Sequence, residues 1–118
     1  MAKETTPALT PGEAAAHEGH PRLALDDKLL NPLRLSIVSA LVARDSVSFK
    51  DMREFIQTTD STLSKNASAL EECGYVTIIK QFIGTRPHTS LSLTKQGRQA
   101  WERHIAALQA IASAGEQQ

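Results

Sequence analysis

A chain of 118 residues can bury one modest core, so a single small domain with tails is expected. Its 13 basic and 13 acidic residues cancel, which counts mildly against a nucleic-acid binder, and its one cysteine excludes an internal disulfide framework and any cysteine-cluster metal site. The N-terminus carries no apolar run resembling a signal sequence and no segment approaches the ~18 apolar residues of a membrane span, so a cytoplasmic protein is expected.

Residues 1–21 contain Pro7, Pro11, Gly12, Gly19 and Pro21 with few large apolar side chains, and are read as a disordered arm. His17, Glu18 and His20 lie close together, but no third ligand stands at a recognisable metal spacing, so a solvated tail is the reading kept. From Arg22 the pattern changes. Leu25, Leu29 and Leu30 predict a short amphipathic helix begun near Asp26 or Asp27. Asn31-Pro32 then opens a second helix, with Asn as N-cap and Pro at the first helical position, whose stripe is Leu33, Ile37, Val38, Leu41 and Val42. Ser46-Val47-Ser48 is a brief extended link that could pair with a hairpin. Ser48 with Asp51 three residues on resembles a capping box, and the helix it starts has Phe49, Met52, Phe55 and Ile56 as its apolar face.

Gln57-Thr58 is a connection of two or three residues to the stretch Thr59 to Gly74. Here Leu63, Ala67 and Leu70 stack on one helical face, Thr59 or Asp60 caps the start, and Gly74 supplies the left-handed residue just past the end. About 100° of rotation per residue places Ser61, Lys65, Ser68 and Glu72 opposite that stripe, flanked by Thr62 and Ser64. Solvent-facing helices are usually filled with Glu, Lys, Gln and Arg, which are better helix formers than Ser or Thr. Short hydroxyls suit close approach to phosphates or base edges, and Lys65 can reach a phosphate or a guanine; the competing reading is an idle polar face. Two helices joined by a tight turn make a helix-turn-helix, whose second helix enters the major groove of DNA.

Beyond Gly74, Tyr75 to Lys80 is β-branched and aromatic and Thr89 to Leu93 alternates cleanly, so both are read as strands. Gly84-Thr85-Arg86-Pro87-His88 between them is turn chemistry, giving a hairpin with a basic, proline-stiffened tip. Thr94 caps a last helix with Trp101, Ile105, Leu108 and Ala112 as its apolar seam. Charge follows the same division: residues 60–98 hold five basic and three acidic side chains, and no acid lies between Glu72 and Glu102. A local positive surface is therefore compatible with the neutral total.

Four segments resemble the small winged-helix transcriptional regulators related to MarR and ArsR: Leu-Leu-Asn-Pro-Leu-Arg-Leu at 29–35, Thr-Asp-Ser-Thr-Leu-Ser-Lys-Asn at 59–66, Leu-Glu-Glu-Cys-Gly-Tyr-Val at 70–76 and Leu-Thr-Lys-Gln-Gly-Arg at 93–98. Their order and spacing together carry the resemblance, which spans roughly Leu25 to Ile111. It implies a mostly α protein with a β-hairpin wing (α+β), a winged helix-turn-helix dimerising through its N- and C-terminal helices. The domain is expected over 22–112, after the arm at 1–21 and before a flexible C-terminal tail at 113–118. It further implies a homodimer with a promoter as partner; a two-fold dimer should bind a palindromic operator, and a repressor is the reading kept, with activation left open. Ser61, Thr62, Ser64, Lys65 and Ser68 carry over to the major groove, and Arg86 with His88 to the wing. The dimer seam is expected from Leu25, Leu29, Trp101, Ile105 and Leu108. A small-molecule effector could sit between dimer helices and reading head, with Trp101 as part of its pocket or as a core or interface anchor. No cofactor or metal is implied.

Asn66 departs from the His of many relatives, and Cys73 from a small residue such as Ala. Cys73 is read as packing, because a helix C-terminus disfavours a thiolate and Glu71 and Glu72 adjoin it. An enzyme is not expected: His17, His20, His88 and His104 are scattered, and neither a Ser-His-acid order, a carboxylate pair nor a phosphate-cradling glycine loop is present. The rival reading is a winged-helix module that binds protein without binding DNA, which would need neither the hydroxyl-and-lysine face nor a basic wing.

Overall fold

The structure, a computed structural model, describes residues 19–116. The expected arm therefore lies almost wholly outside the described residues, as do His17 and Glu18. In chain order there are two 3₁₀ turns, Pro21–Ala24 and Asp27–Leu29, then α1 (Pro32–Arg44), β1 (Ser46–Ser48), α2 (Phe49–Phe55), α3 (Asp60–Glu72), β2 (Val76–Ile83), β3 (Arg86–Leu93) and α4 (Lys95–Glu116). No helix among the described residues is long and apolar enough to cross a membrane.

The chain divides into two units, residues 27–101 and a second made of residues up to 26 with those from 102 onward. In the first, Leu29, Ile37, Val38, Leu41, Met52, Leu63, Ala67, Leu70, Val76 and Leu91 form one buried cluster, so α1, α2, α3 and the sheet share a core. The sheet is antiparallel in the order β1-β3-β2. Ser46-Val47-Ser48 does pair with the hairpin, Val47 opposite Leu91. In the second unit the backbone N–H of Asp26 donates to Nδ1 of the buried His104 at 3.0 Å.

The caps read from the sequence are in place. Asn31 Oδ1 accepts from the N–H groups of Leu33 and Arg34, Ser48 Oγ from that of Asp51, and Thr59 Oγ1 from that of Thr62. Thr94 Oγ1 accepts from the N–H of Gly97 at the start of α4 and points its own hydrogen at the carbonyls of Gly74 and Tyr75. Gly74 has φ +87°, the left-handed conformation expected of the residue past α3.

Five local expectations need correction. The helix expected around Leu25 to Leu30 is only a single 3₁₀ turn, Asp27–Leu29, because Asn31 is already the extended N-cap of α1 and leaves too few residues for an α-helix to propagate. Phe55 is not on the apolar face of α2 but 71% exposed, at the stripe's edge in a helix that ends there, while Met52 is buried and Phe49 and Ile56 pack on the core. The hairpin loop is narrower than expected: Gly84 and Thr85 alone make it, and Arg86, Pro87 and His88 already belong to β3. Gly84 has φ +67° while Thr85 does not turn positive, the type II′ arrangement whose twist matches the strands it joins. The buried stripe of α4 is displaced by one residue, through Ala100, His104 and Ala107, with Trp101 half-buried and Leu108 38% exposed. Finally α4 runs on to Glu116, past the boundary expected at 112.

Candidate nucleic-acid interface

The helix-turn-helix is made by α2 and α3. Gln57, at φ +56°, reverses the chain between them, and Thr58 N–H closes the turn onto the Arg53 carbonyl at 3.1 Å. Arg53 Nη1 then bridges to Asp60 Oδ1 at 2.6 Å, linking α2 to the first turn of α3; that hydrogen bond, with the charge of the same carboxylate, raises the guanidinium above its ordinary pKa. The carboxylate also lies at the positive end of the α3 dipole, where a negative group is stabilised.

On α3, Leu63, Ala67 and Leu70 are buried, and Ser61, Thr62, Ser64, Lys65 and Ser68 are all exposed. The face expected to read DNA is thus presented outward as a continuous surface of hydroxyls around one ammonium. Thr62 is partly engaged, since Thr59 Oγ1 lies 3.0 Å from its hydroxyl and donates to it. Asn66 is turned away: its Nδ2 donates to the Thr62 carbonyl at 2.9 Å and its Oδ1 accepts from Arg34 Nη1 at 3.1 Å. Arg34 Nε in turn donates to the Lys28 carbonyl at 2.7 Å, so α1 holds α3 through this side chain.

The wing is β2 and β3, paired from Val76↔Leu93 to Ile83↔Arg86. Arg86 is exposed at the first position after the loop, whereas His88 is half-buried opposite Gln81. The two residues do not form one tip. Strand alternation puts Val76, Ile78, Lys80 and Phe82 on one face with their partners Leu93, Leu91, Thr89 and Pro87, and this is the face that meets the core. Glu71, on the side of α3 nearest the wing, accepts the Ile78 N–H at 3.1 Å and fixes strand to helix. Lys80 and Thr89 line a cleft of about 240 Å³ with Ser64 and Ser68. Reading the sequence missed both residues as members of the site; the signal available was the pairing of two alternating strands, which sets them opposite one another.

Of the residues expected at a dimer seam, Leu29 is wholly buried in the chain's own core and offers no surface to a partner. Trp101 is half-buried, with Nε1–H donating to Ser39 Oγ at 2.9 Å, which fits the core-anchor reading. Leu25 and Ile105 are half-buried, and Leu108 is exposed. Cys73 is half-buried against the core with its thiol 3.4 Å from the Leu70 carbonyl. No group of three or more His, Cys, Asp or Glu side chains among the described residues could hold a metal ion, and His20 instead caps the first 3₁₀ turn by accepting the Arg22 N–H.

A helix-turn-helix with an open polar reading face, followed by a two-stranded wing with a basic residue beside its loop, defines a winged-helix DNA-binding protein. The model described as winged helix DNA-binding domain matches residues 33–112, and the chain belongs to that family. It is 32% identical over 79 residues to an uncharacterized protein of Methanocaldococcus jannaschii, a match covering 66% of this chain and 86% of that one. Its fold is similar to a transcriptional regulator homologue from Pyrococcus horikoshii OT3, with a TM-score of 0.71 and 28% identity over 75% of this chain and 88% of the other. It is also similar to a MarR-family transcriptional regulator from Silicibacter pomeroyi, with a TM-score of 0.58 and 19% identity over 88% and 72% of the two chains. These neighbours match the resemblance seen in the sequence.

Proposed function

We propose that this protein is a sequence-specific transcriptional regulator, a repressor, that binds an imperfectly palindromic operator as a two-fold homodimer. The observation that carries the reading is the outer face of α3, where short hydroxyls and Lys65 stand exposed directly opposite the buried Leu63, Ala67 and Leu70. Backbones of a helix and a DNA groove approach closely only where side chains are short, and a serine-rich face has little to recommend it as ordinary solvent-facing filling. In this reading Lys65, Ser61 and Thr62 meet base edges in the major groove, and Arg86 reaches the flanking minor groove, where A·T-rich sequence narrows the groove and strengthens its negative potential.

Dimerisation is proposed through α4, whose Ile105 and Leu108 remain accessible on a helix that otherwise buries small residues and His104. A two-fold dimer requires its two reading helices to match about one DNA turn, ~34 Å, so half-site centres fall ~10 base pairs apart or at a multiple of that. Footprinting on operator DNA tests the arrangement. Inserting five base pairs between half-sites rotates one of them to the opposite face and abolishes dimer binding; binding that survives the insertion contradicts a rigid pair of reading helices.

A further inference from the structure

We propose that the cleft between α3 and the inner face of the wing seats one DNA backbone phosphate, held by Lys80 and Thr89 of the wing with Ser64 and Ser68 of α3. The inference rests on the DNA-binding reading above and divides the labour within it.

Five observations carry it. Lys80 and Thr89 are direct cross-strand partners, so their side chains stand side by side on the face of the wing turned toward α3. Ser64 and Ser68 are one helical turn apart and line the same cleft, bringing one ammonium and three hydroxyls around a space of about 240 Å³. The remaining walls are apolar, Phe49 and Ile78 among them, and no carboxylate lines the cleft, so a bound anion meets donors without an opposing acid. Lys80 is exposed and makes no ion pair among the described residues, and so presents its charge to whatever enters. The site is also held in shape, because the bond from Ile78 N–H to Glu71 ties β2 to α3 two residues from Lys80.

A phosphodiester suits this donor set: two anionic oxygens, an ammonium as counter-charge, and hydroxyls that each donate one hydrogen. A base edge suits it less, because the recess is flanked by the wing and lies beside α3, with Ser64 on the wing side and Ser68 at the border between the recess and the outermost line of Ser61 and Lys65. Ser64 and Ser68 therefore position the protein on the backbone, and sequence is read by Ser61, Thr62 and Lys65.

The test is a scan of operator DNA in which each phosphate of a half-site is replaced singly by a neutral methylphosphonate, read with wild type, Lys80→Ala and Lys80→Gln. One phosphate per half-site is expected at which neutralisation weakens the wild type about tenfold or more, the scale of a charge-assisted bond, while both variants, left with the hydroxyls alone, lose several-fold less there. The variants should also bind every sequence more weakly by a similar factor, keep the wild-type base preference, and lower the salt slope by about 0.9 per protomer. Gln preserves the strand and most of the side chain, so its effect is read as lost charge, and matching thermal unfolding of both variants with the wild type confirms that the fold is unchanged. Variants as sensitive as the wild type at every phosphate, or variants with altered base preference, overturn the seat while leaving the regulator reading intact. A wild-type protein that binds no DNA fragment overturns both.

Discussion

Arg34 Nη1 donates to Asn66 Oδ1 at 3.1 Å, so the middle of α3 is braced by the first helix of the domain and Asn66 is withdrawn from the surface proposed to meet DNA. The other half of the same amide is spent on the Thr62 carbonyl one turn earlier. Asn66→Ala should therefore lower stability by roughly 1 kcal/mol, the net worth of a side-chain hydrogen bond whose loss also strands an Arg34 donor. Base preference should be unchanged. Urea unfolding and binding-site selection on the same variant check both halves, and a changed motif at unchanged stability would place Asn66 on the bases.

Lys65 and Arg86 are assigned different tasks, and their variants should fail differently. Lys65→Ala should weaken operator binding by ~1–3 kcal/mol and relax preference at one position, as expected when a base contact is lost. Arg86→Ala should weaken binding to all sequences more evenly and reduce the salt slope by about 0.9 per protomer, as expected when a backbone or minor-groove contact is lost. Titrations at several salt concentrations separate the two; wild-type affinity in both variants would mean that the surface is misassigned.

The first turn of α4 passes close to Tyr75, the residue before β2, at Gly97. A β-carbon there would overlap the Tyr75 carbonyl oxygen, a backbone atom that cannot swing aside. Gly97→Ala should cost about 1–3 kcal/mol or more through overpacking, and thermal unfolding reads it directly. Thr59→Ala, by contrast, removes only the cap of α3 and should cost ~1 kcal/mol.

What could be read in the sequence follows from where local chemistry decides. Asn31, Ser48, Thr59 and Thr94 cap their helices through bonds a few residues long, and Leu63, Ala67 and Leu70 bury as their period requires, so α1, α2, α3 and the exposed side of α3 were all legible. The misplacements arise where tertiary packing chooses. On α4 the larger side chains Trp101, Ile105 and Leu108 look like the core stripe, yet Ala100, His104 and Ala107 are the buried ones, with His104 accepting from Asp26 N–H. The β-branched and aromatic run of β2 signals a strand but not its surroundings, and Phe82, at 70% exposure, stands beyond the cover of the core cluster. Lys80 and Thr89 could not be joined to Ser64 and Ser68 without knowing the register of the hairpin and the side of α3 on which it lies.

Assembly through α4 yields its own test. With Leu29 committed to the core, the accessible seam is carried by Ile105 and Leu108, and Leu108→Glu should shift the protein toward monomer while leaving the fold intact. Sedimentation of wild type and variant at micromolar concentration decides it. A wild type that sediments as a stable monomer rules out the proposed dimer.

The most direct measurement is selection of bound fragments from genomic DNA by the purified wild-type protein, with Lys65→Ala alongside. A DNA reader built on α3 should enrich fragments sharing one imperfect palindrome, its half-sites ~10 base pairs apart or a multiple of that, and the variant should lose preference at one position in each half-site. Fragments enriched without a common motif, or the same motif returned with equal strength by Lys65→Ala, would contradict the account.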